Sequence, residues 1–206
     1  VPHISEDELA SRRTEIIDAC ETLYQTESYR DISMARIAEH LSFSRANIYN
    51  YFQTKEEIFL ALFQREHELW AVDLDRLRDA HESLSRDELA DGIAATIESR
   101  GQLLKLMAMN CYDMEENSRF ECLVEFKHSY RRSIEALDAV CAQFIPEWDA
   151  AQRERFIGLL LPFMFGIFPY TKPTEKQRHA MGEAGITPPV NSAFDLSRAF
   201  ILMALV

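Results

Sequence analysis

The chain has 206 residues, 47% hydrophobic and 27% charged, with a formal net charge of −12. That apolar content excludes a disordered chain and suits one sizeable core, or a small domain joined to a larger one. The acidity excludes indiscriminate adhesion to nucleic acid or anionic membrane, but not a local site built from a few well-placed cations.

Six glycines and seven prolines are few, and the apolar residues recur with a helical period, so the predicted class is all-α. Ser or Thr followed three residues later by Glu or Gln occurs at Ser5–Glu8, Thr54–Glu57, Ser85–Glu88, Ser118–Glu121 and Thr174–Gln177. Such pairs satisfy orphan backbone N–H groups at a helix start. The first predicted helix runs over about 8–26, with Ile16, Cys20, Leu23 and Tyr24 on one face. Two short helices follow at 34–40 and 45–52. A long one at 55–80 carries Ile58, Leu62, Leu69 and Leu77 inward. Further helices are predicted at 86–99, 102–114, 119–144 and 147–168, a small one at 175–183, and a last one from about 192. Pro162, inside an apolar helix pattern, predicts a bend and a freed carbonyl. The change of character near residue 80 predicts a small N-terminal domain, 1–66, and a larger helical body, 67–206.

The chemistry concentrates in Asp31–Phe59, DISMARIAEHLSFSRANIYNYFQTKEEIF. Ser33 caps a helix whose inward residues are Met34, Ile37, Ala38 and Leu41, and Ser44 caps the next. Ile48 and Phe52 share one face of that second helix and must be buried. The opposite face presents Ala46, Asn47 and Asn50, flanked by Arg45, Tyr49 and Tyr51. Two short helices joined by about three residues make a helix-turn-helix, whose second helix enters the major groove of DNA. Arg45 suits guanine, Asn47 or Asn50 adenine, and Ala46 a thymine methyl. The tyrosine hydroxyls, Ser33 and Lys55 suit phosphate oxygens. The candidate DNA-binding set is Ser33, Arg36, Ser44, Arg45, Ala46, Asn47, Tyr49, Asn50, Tyr51 and Lys55. Residues 1–65 nevertheless carry a net charge of −4. Arg12 and Arg13 must therefore face the backbone rather than the acids of the first helix.

This stretch resembles the DNA-binding region of TetR-type (tetracycline-repressor-like) transcriptional regulators. Ser33, Ile37-Ala38, Ser44, Ile48-Tyr49, Tyr51-Phe52 and Lys55-Glu56 stand at the matching positions, over about a quarter of the chain. Ser42 and Ser28 stand where that family commonly has glycine, so either Ser42 takes a strained positive φ or the turn differs. The resemblance implies a homodimer joined through the last two long helices as a four-helix bundle. It also implies a near-palindromic double-stranded operator and a body that holds a small effector, whose binding spoils the fit of the two reading helices.

The body is rich in flexible apolar residues, as an apolar or aromatic effector site would be. The candidate pocket set is Leu103, Met107, Asn110, Cys111, Tyr112, Phe126, Tyr130, Phe163 and Met164, with Glu125 and His128 as further polar candidates. No His/Cys/carboxylate set has zinc-like spacing, so neither metal nor cofactor is expected. The four scattered cysteines read as reduced thiols. No phosphate loop, nucleophile elbow or paired catalytic carboxylates is evident, so an enzyme is not expected. The apolar run 156–170 is shorter than the roughly 20 residues of a membrane span, and VPHISEDEL is unlike a secretory signal. The function predicted is a cytoplasmic repressor released from its operator by a small effector. The competing classes are an all-helical ligand carrier or enzyme with an incidental helix-turn-helix, and a regulator that acts on a protein partner.

Overall fold

The computed structural model describes residues 5–109, 111–187 and 190–205, apart from the side chains of residues 6, 111 and 113. Among these it holds eleven helices and no strand. They are α1 (Glu6–Thr26), α2 (Met34–Ala38), α3 (Arg45–Ile48), α4 (Lys55–Asp79), α5 (Arg86–Ser99) and α6 (Gly101–Met107). They continue with α7 (Cys111–Glu116), α8 (Phe120–Phe144), α9 (Ala150–Thr171), α10 (Glu175–Glu183) and α11 (Ala193–Ala204).

Side-chain caps set most helix starts. Ser85 with Glu88 and Thr174 with Gln177 form reciprocal capping boxes, and Ser5 and Thr54 each accept the N–H three residues on. Asp149 with Gln152 and Ser192 with Asp195 form two more boxes. Ser118 does otherwise: its hydroxyl donates to the Met114 carbonyl at 2.7 Å, closing the end of α7 rather than starting α8. The predicted helix at 102–114 is two helices, because Ala108 bonds back to Leu104 and Leu106 and ends α6. Conversely, α9 passes through both Pro162 and Pro169 to Thr171. Both prolines lie on its exposed face, as does Gly158, whose carbonyl Pro162 leaves without its helical N–H donor.

Contacts divide the chain into two units. Unit 1 comprises residues 1–65 and 110–129, and unit 2 comprises 66–109 and 130–206. Segment 110–129, expected in the larger body, clusters with the N-terminal residues because Phe126 packs on Phe63 (centroids 4.9 Å apart) and Arg119 pairs with Glu57 at 2.7 Å. Ile16, Cys20, Leu23, Ile37, Ile48, Phe52, Phe59 and Phe63 form the core of unit 1, all at most 3% exposed. In unit 2, Trp70, Leu74, Ile93, Ile97, Leu103, Leu137, Leu160 and Ile201 are fully buried. Leu69, expected inward, is exposed. Its neighbour Trp70 takes the core position and donates from Nε1 to the Thr96 hydroxyl at 3.1 Å.

Cys20 and Cys141 are buried, and burial pushes both thiols up to about 12. The thiolate is the reactive form. Native protein treated with a disulfide reagent at pH 8 should therefore leave these two cysteines unmodified until it is unfolded, as peptide mapping will show.

Candidate nucleic-acid interface

The geometry of α2 and α3 follows from what they bury. Ile37 anchors α2, and Ile48 and Phe52 anchor α3 and the turn after it, all at most 1% exposed. Ser33 caps α2 by accepting the Arg36 N–H at 3.2 Å. Ser44 occupies the N-cap of α3 without using its hydroxyl there. The α-helical part of α3 is shorter than the predicted 45–52. Beyond Ile48 the chain tightens, with Asn50 N–H donating to Asn47 and Tyr51 N–H to Ile48, three residues back. Such i→i+3 bonds are common where a helix ends.

Opposite the anchors, Ser44, Arg45, Ala46, Tyr49 and Asn50 are exposed, while Asn47 and Tyr51 are half-buried. Tyr49 is 47% exposed and accepts a bond from Arg45 at 3.2 Å, which links the two side chains across one helical turn. This row of guanidinium, methyl, phenol and amide is what a base edge in a major groove can read.

The turn between α2 and α3 is built without strain. No described non-glycine residue has a positive φ. Instead Glu15 of α1 accepts both the Ser42 N–H (2.7 Å) and its hydroxyl (3.1 Å). Glu15, one of the acids of the first helix, therefore ties the turn, and the serine hydroxyl is a second donor to its carboxylate. Arg12 and Arg13 lie over the rings of Phe43 and Phe52; contrary to expectation Arg12 pairs with an acid of the first helix, Glu8, at 2.5 Å, and Arg13 pairs with Glu125 at 3.5 Å.

Two of the candidate cations have internal partners. Arg36 donates to Glu27 at 2.7 Å and to Glu39 at 2.6 Å, so it holds α2 to the end of α1. Lys55 Nζ donates to the carbonyls of Tyr29 (3.0 Å) and Ile32 (3.2 Å) and sits 4.0 Å from the Tyr29 ring centroid. Its ammonium carries three protons, of which these carbonyls take two.

Behind the turn that follows α3 lies a cluster that the sequence did not reveal. Glu57, 1% exposed, accepts bonds from the Gln53 N–H (2.7 Å), the Arg119 N–H (3.1 Å) and the Arg119 guanidinium (2.7 and 3.0 Å). Arg119 also donates to the Tyr51 carbonyl at 3.2 Å, and Thr54 to that of Asn117 at 3.0 Å. The turn before α8 is thus clamped to the chain that leaves α3. Thr54-x-x-Glu57 was legible as a cap; its partner 62 residues away was not.

Comparison with known proteins gives this surface a context. Residues 16–62 match "Bacterial regulatory proteins, tetR family", and residues 64–201 match "Tetracyclin repressor-like, C-terminal domain". The chain belongs to the tetR family. Its relatives include the HTH-type transcriptional repressor Rv1474c of Mycobacterium tuberculosis, 30% identical over 76 residues. That match spans 37% of this chain and 41% of the relative. The HTH-type transcriptional repressor AcnR of Corynebacterium diphtheriae is 32% identical over 66 residues, spanning 32% of this chain and 35% of that protein. The chain thus spans less than half the length of these curated relatives. Among solved structures, a TetR-family regulator from Mesorhizobium loti superposes with a TM-score of 0.61 at 15% identity, over 95% of this chain and 96% of its own. PfmR of Thermus thermophilus superposes with 0.59 at 16% identity, over 92% and 96%. TetR-family regulators bind operator DNA and dimerise, and they are not enzymes.

The described candidate effector residues of this TetR-family chain fall in both units. Leu103, Met107 and Met164 are packed in the core of unit 2 at 0–1% exposure. Phe163 stacks on Phe200 at 4.3 Å, and Tyr130 meets the His67 ring edge-on at 5.1 Å. Phe126 belongs to the core of unit 1. Tyr112, also in unit 1, is 81% exposed. Asn110 and the Cys111 side chain lie outside the described residues. Among the described residues no His/Cys/Asp/Glu cluster could hold a metal ion, and no single helix is long and apolar enough to cross a membrane.

Proposed function

We propose that this TetR-family chain is a cytoplasmic, homodimeric repressor that reads a near-palindromic operator with α3 and is released by a small apolar or aromatic effector. The observation that carries the reading is the two-sidedness of α3: Ile48 and Phe52 are fixed in the core while Arg45, Ala46, Tyr49 and Asn50 are offered outward. On this reading residues 1–66 bind DNA, and Ser33, Ser44, Tyr51 and the remaining proton of Lys55 meet phosphates. Residues 67–206 serve the effector and the dimer. Repression is supported by the names of the two curated relatives, both transcriptional repressors. An effector acts only through a difference in affinity between the DNA-competent and incompetent arrangements.

Selection of binding sequences from a random duplex pool tests the reading. The expected product is one sequence with two inverted half-sites about one helical turn apart. A pool that yields no enriched sequence contradicts it, as does a single unrepeated site.

Dimerisation through α9 and α11 is supported by the apolar side chains these helices leave outward. Leu159 is 53% exposed and Met203 72%, with Pro162, Gly166 and Ala199 on the same faces. Leu159→Glu would bury a carboxylate without a partner in that interface. It should raise the dimer dissociation constant more than about tenfold, read by sedimentation equilibrium, because a tenfold loss needs only about 1.4 kcal/mol.

A further inference from the structure

Within unit 1, α3 is held unevenly. Its far end is fixed by Ile48, and the turn after it by Phe52, both at most 1% exposed. Its near end carries Arg45 and Ala46, both exposed, and has no buried anchor of its own. Ser44 stands at the N-cap without a side-chain bond to the helix. With four residues, α3 is little more than one turn long. A rod that short, pinned at one end, takes its direction from whatever holds the other. Among the described residues, Glu15 of α1 supplies the hydrogen bonds that tie residues 41–44 to another helix. Its carboxylate accepts the Ser42 N–H at 2.7 Å and the Ser42 hydroxyl at 3.1 Å. Ile16 and Cys20, fully buried, fix that stretch of α1 in the core. Arg12 adds a looser hold: its guanidinium lies 5.6 Å from the ring centroid of Phe43, whose ring is 6.4 Å from that of Tyr51.

We propose that Glu15 is a positioning residue for DNA binding: by holding Ser42 it sets the direction in which α3 presents Arg45 and Ala46, and raises affinity for the operator without touching it. The proposal rests on the reading of α3 as the helix that enters the groove. Two effects of this acid oppose each other. As a charge it repels phosphate, and salt screens that repulsion over about 10 Å at 0.1 M. As a tether it orders the turn before DNA arrives, so that ordering is not charged against binding. Hydrogen bonds to a base edge weaken steeply when misaligned, so the direction of a short helix decides whether they form. The tether outweighs the charge. Deleting this negative charge therefore weakens DNA binding, the opposite of what electrostatics alone gives.

Fluorescence anisotropy of the full chain with the selected duplex, at several salt concentrations and well below the melting temperature, tests it. Glu15→Ala should weaken binding at least tenfold. Alanine suits a helix interior, and the urea midpoint of each variant checks that the chain assayed is folded. The slope of log Kd against log salt should stay at the wild-type value, because no phosphate contact is lost. Glu15→Gln should recover most of the loss, since its amide oxygen still accepts the Ser42 N–H. Ser42→Ala gives up only the hydroxyl bond and should lose less than Glu15→Ala; the two together should cost little more than Glu15→Ala alone. Glu15→Ala that binds as tightly as wild type, or more tightly, overturns the proposal, even with a lowered urea midpoint. So does an equal loss in Glu15→Gln, which would trace the effect to charge, or a flattened salt slope, which would trace it to a phosphate contact. Arg45→Ala in the same assay separates the two levels. If it relaxes base preference while Glu15→Ala changes nothing, the reading of α3 stands and the positioning role falls. If Arg45→Ala leaves preference and affinity unchanged, that reading falls and the proposal with it.

Discussion

Arg119→Ala is expected to destabilise unit 1 by about 2–3 kcal/mol, the largest loss for any single side chain outside its apolar core. Glu57 is 1% exposed and takes two of its bonds from the Arg119 guanidinium. Removing one partner of a buried pair typically costs about 3–5 kcal/mol, because it strands the other charge. The Arg119 side chain is 41% exposed, so water already shares its charge and the expected figure falls below that range. Glu57→Gln in the Arg119→Ala background should recover part of the loss, since no buried carboxylate is then left unpaired. Urea unfolding of the two single variants and the double variant measures this. The pH dependence has a definite sign. Burial raises the Glu57 carboxyl, but the Arg119 guanidinium and the N–H groups of Gln53 and Arg119 outweigh it and hold it below the ordinary 4.5. A carboxyl depressed in the folded state stabilises fully above its unfolded value and loses that contribution as pH falls through the folded one. The stability advantage of wild type over Glu57→Gln should therefore be constant near neutrality and shrink below about pH 4.5.

Arg45→Ala is expected to cost about 1–3 kcal/mol of discrimination at one base pair in each half-site of the selected duplex, so both half-sites of a dimer should lose preference together. Arg45 is exposed, and among the described residues it donates to the Tyr49 hydroxyl. Folding stability should change by less than about 0.5 kcal/mol. Lys55→Ala differs in kind. It should weaken binding to every sequence and flatten the salt dependence by about one unit per protomer. It also releases the Tyr29 and Ile32 carbonyls, so its melting temperature should fall as well. Competition band shifts over single-base variants of the duplex, at two salt concentrations, separate the two patterns.

The two-sidedness of α3 was legible because its signals are local: a serine at the N-cap position, apolar anchors four residues apart, and amides and phenols between them. The same holds for the boxes at Ser85 and Thr174. What escaped depends on residues far apart in the chain. Nothing near Ser42 announces Glu15, 27 residues earlier, so the sequence left open whether the turn was strained. Nothing near Thr54 announces Arg119, so 110–129 read as part of the body. The break at Ala108 escaped because the apolar period runs through it without a proline or glycine. The helix predicted to end near 168 runs on through Pro169, whose lost hydrogen bond is tolerated on an exposed face, to Thr171. The effector residues were chosen for polarity and flexibility, whereas packing places Leu103, Met107 and Met164 in the core of unit 2, Phe126 in that of unit 1, and Tyr112 in solvent.

The account stands or falls on whether DNA covers the outward face of α3. Ala46→Cys puts a thiol on that face, where residue 46 is exposed in the free chain. Its alkylation rate, followed by mass spectrometry with and without saturating selected duplex, reports the contact directly. A rate cut at least tenfold by the duplex is the predicted result. An unchanged rate, with band shifts showing the duplex fully bound, would mean that DNA binds elsewhere.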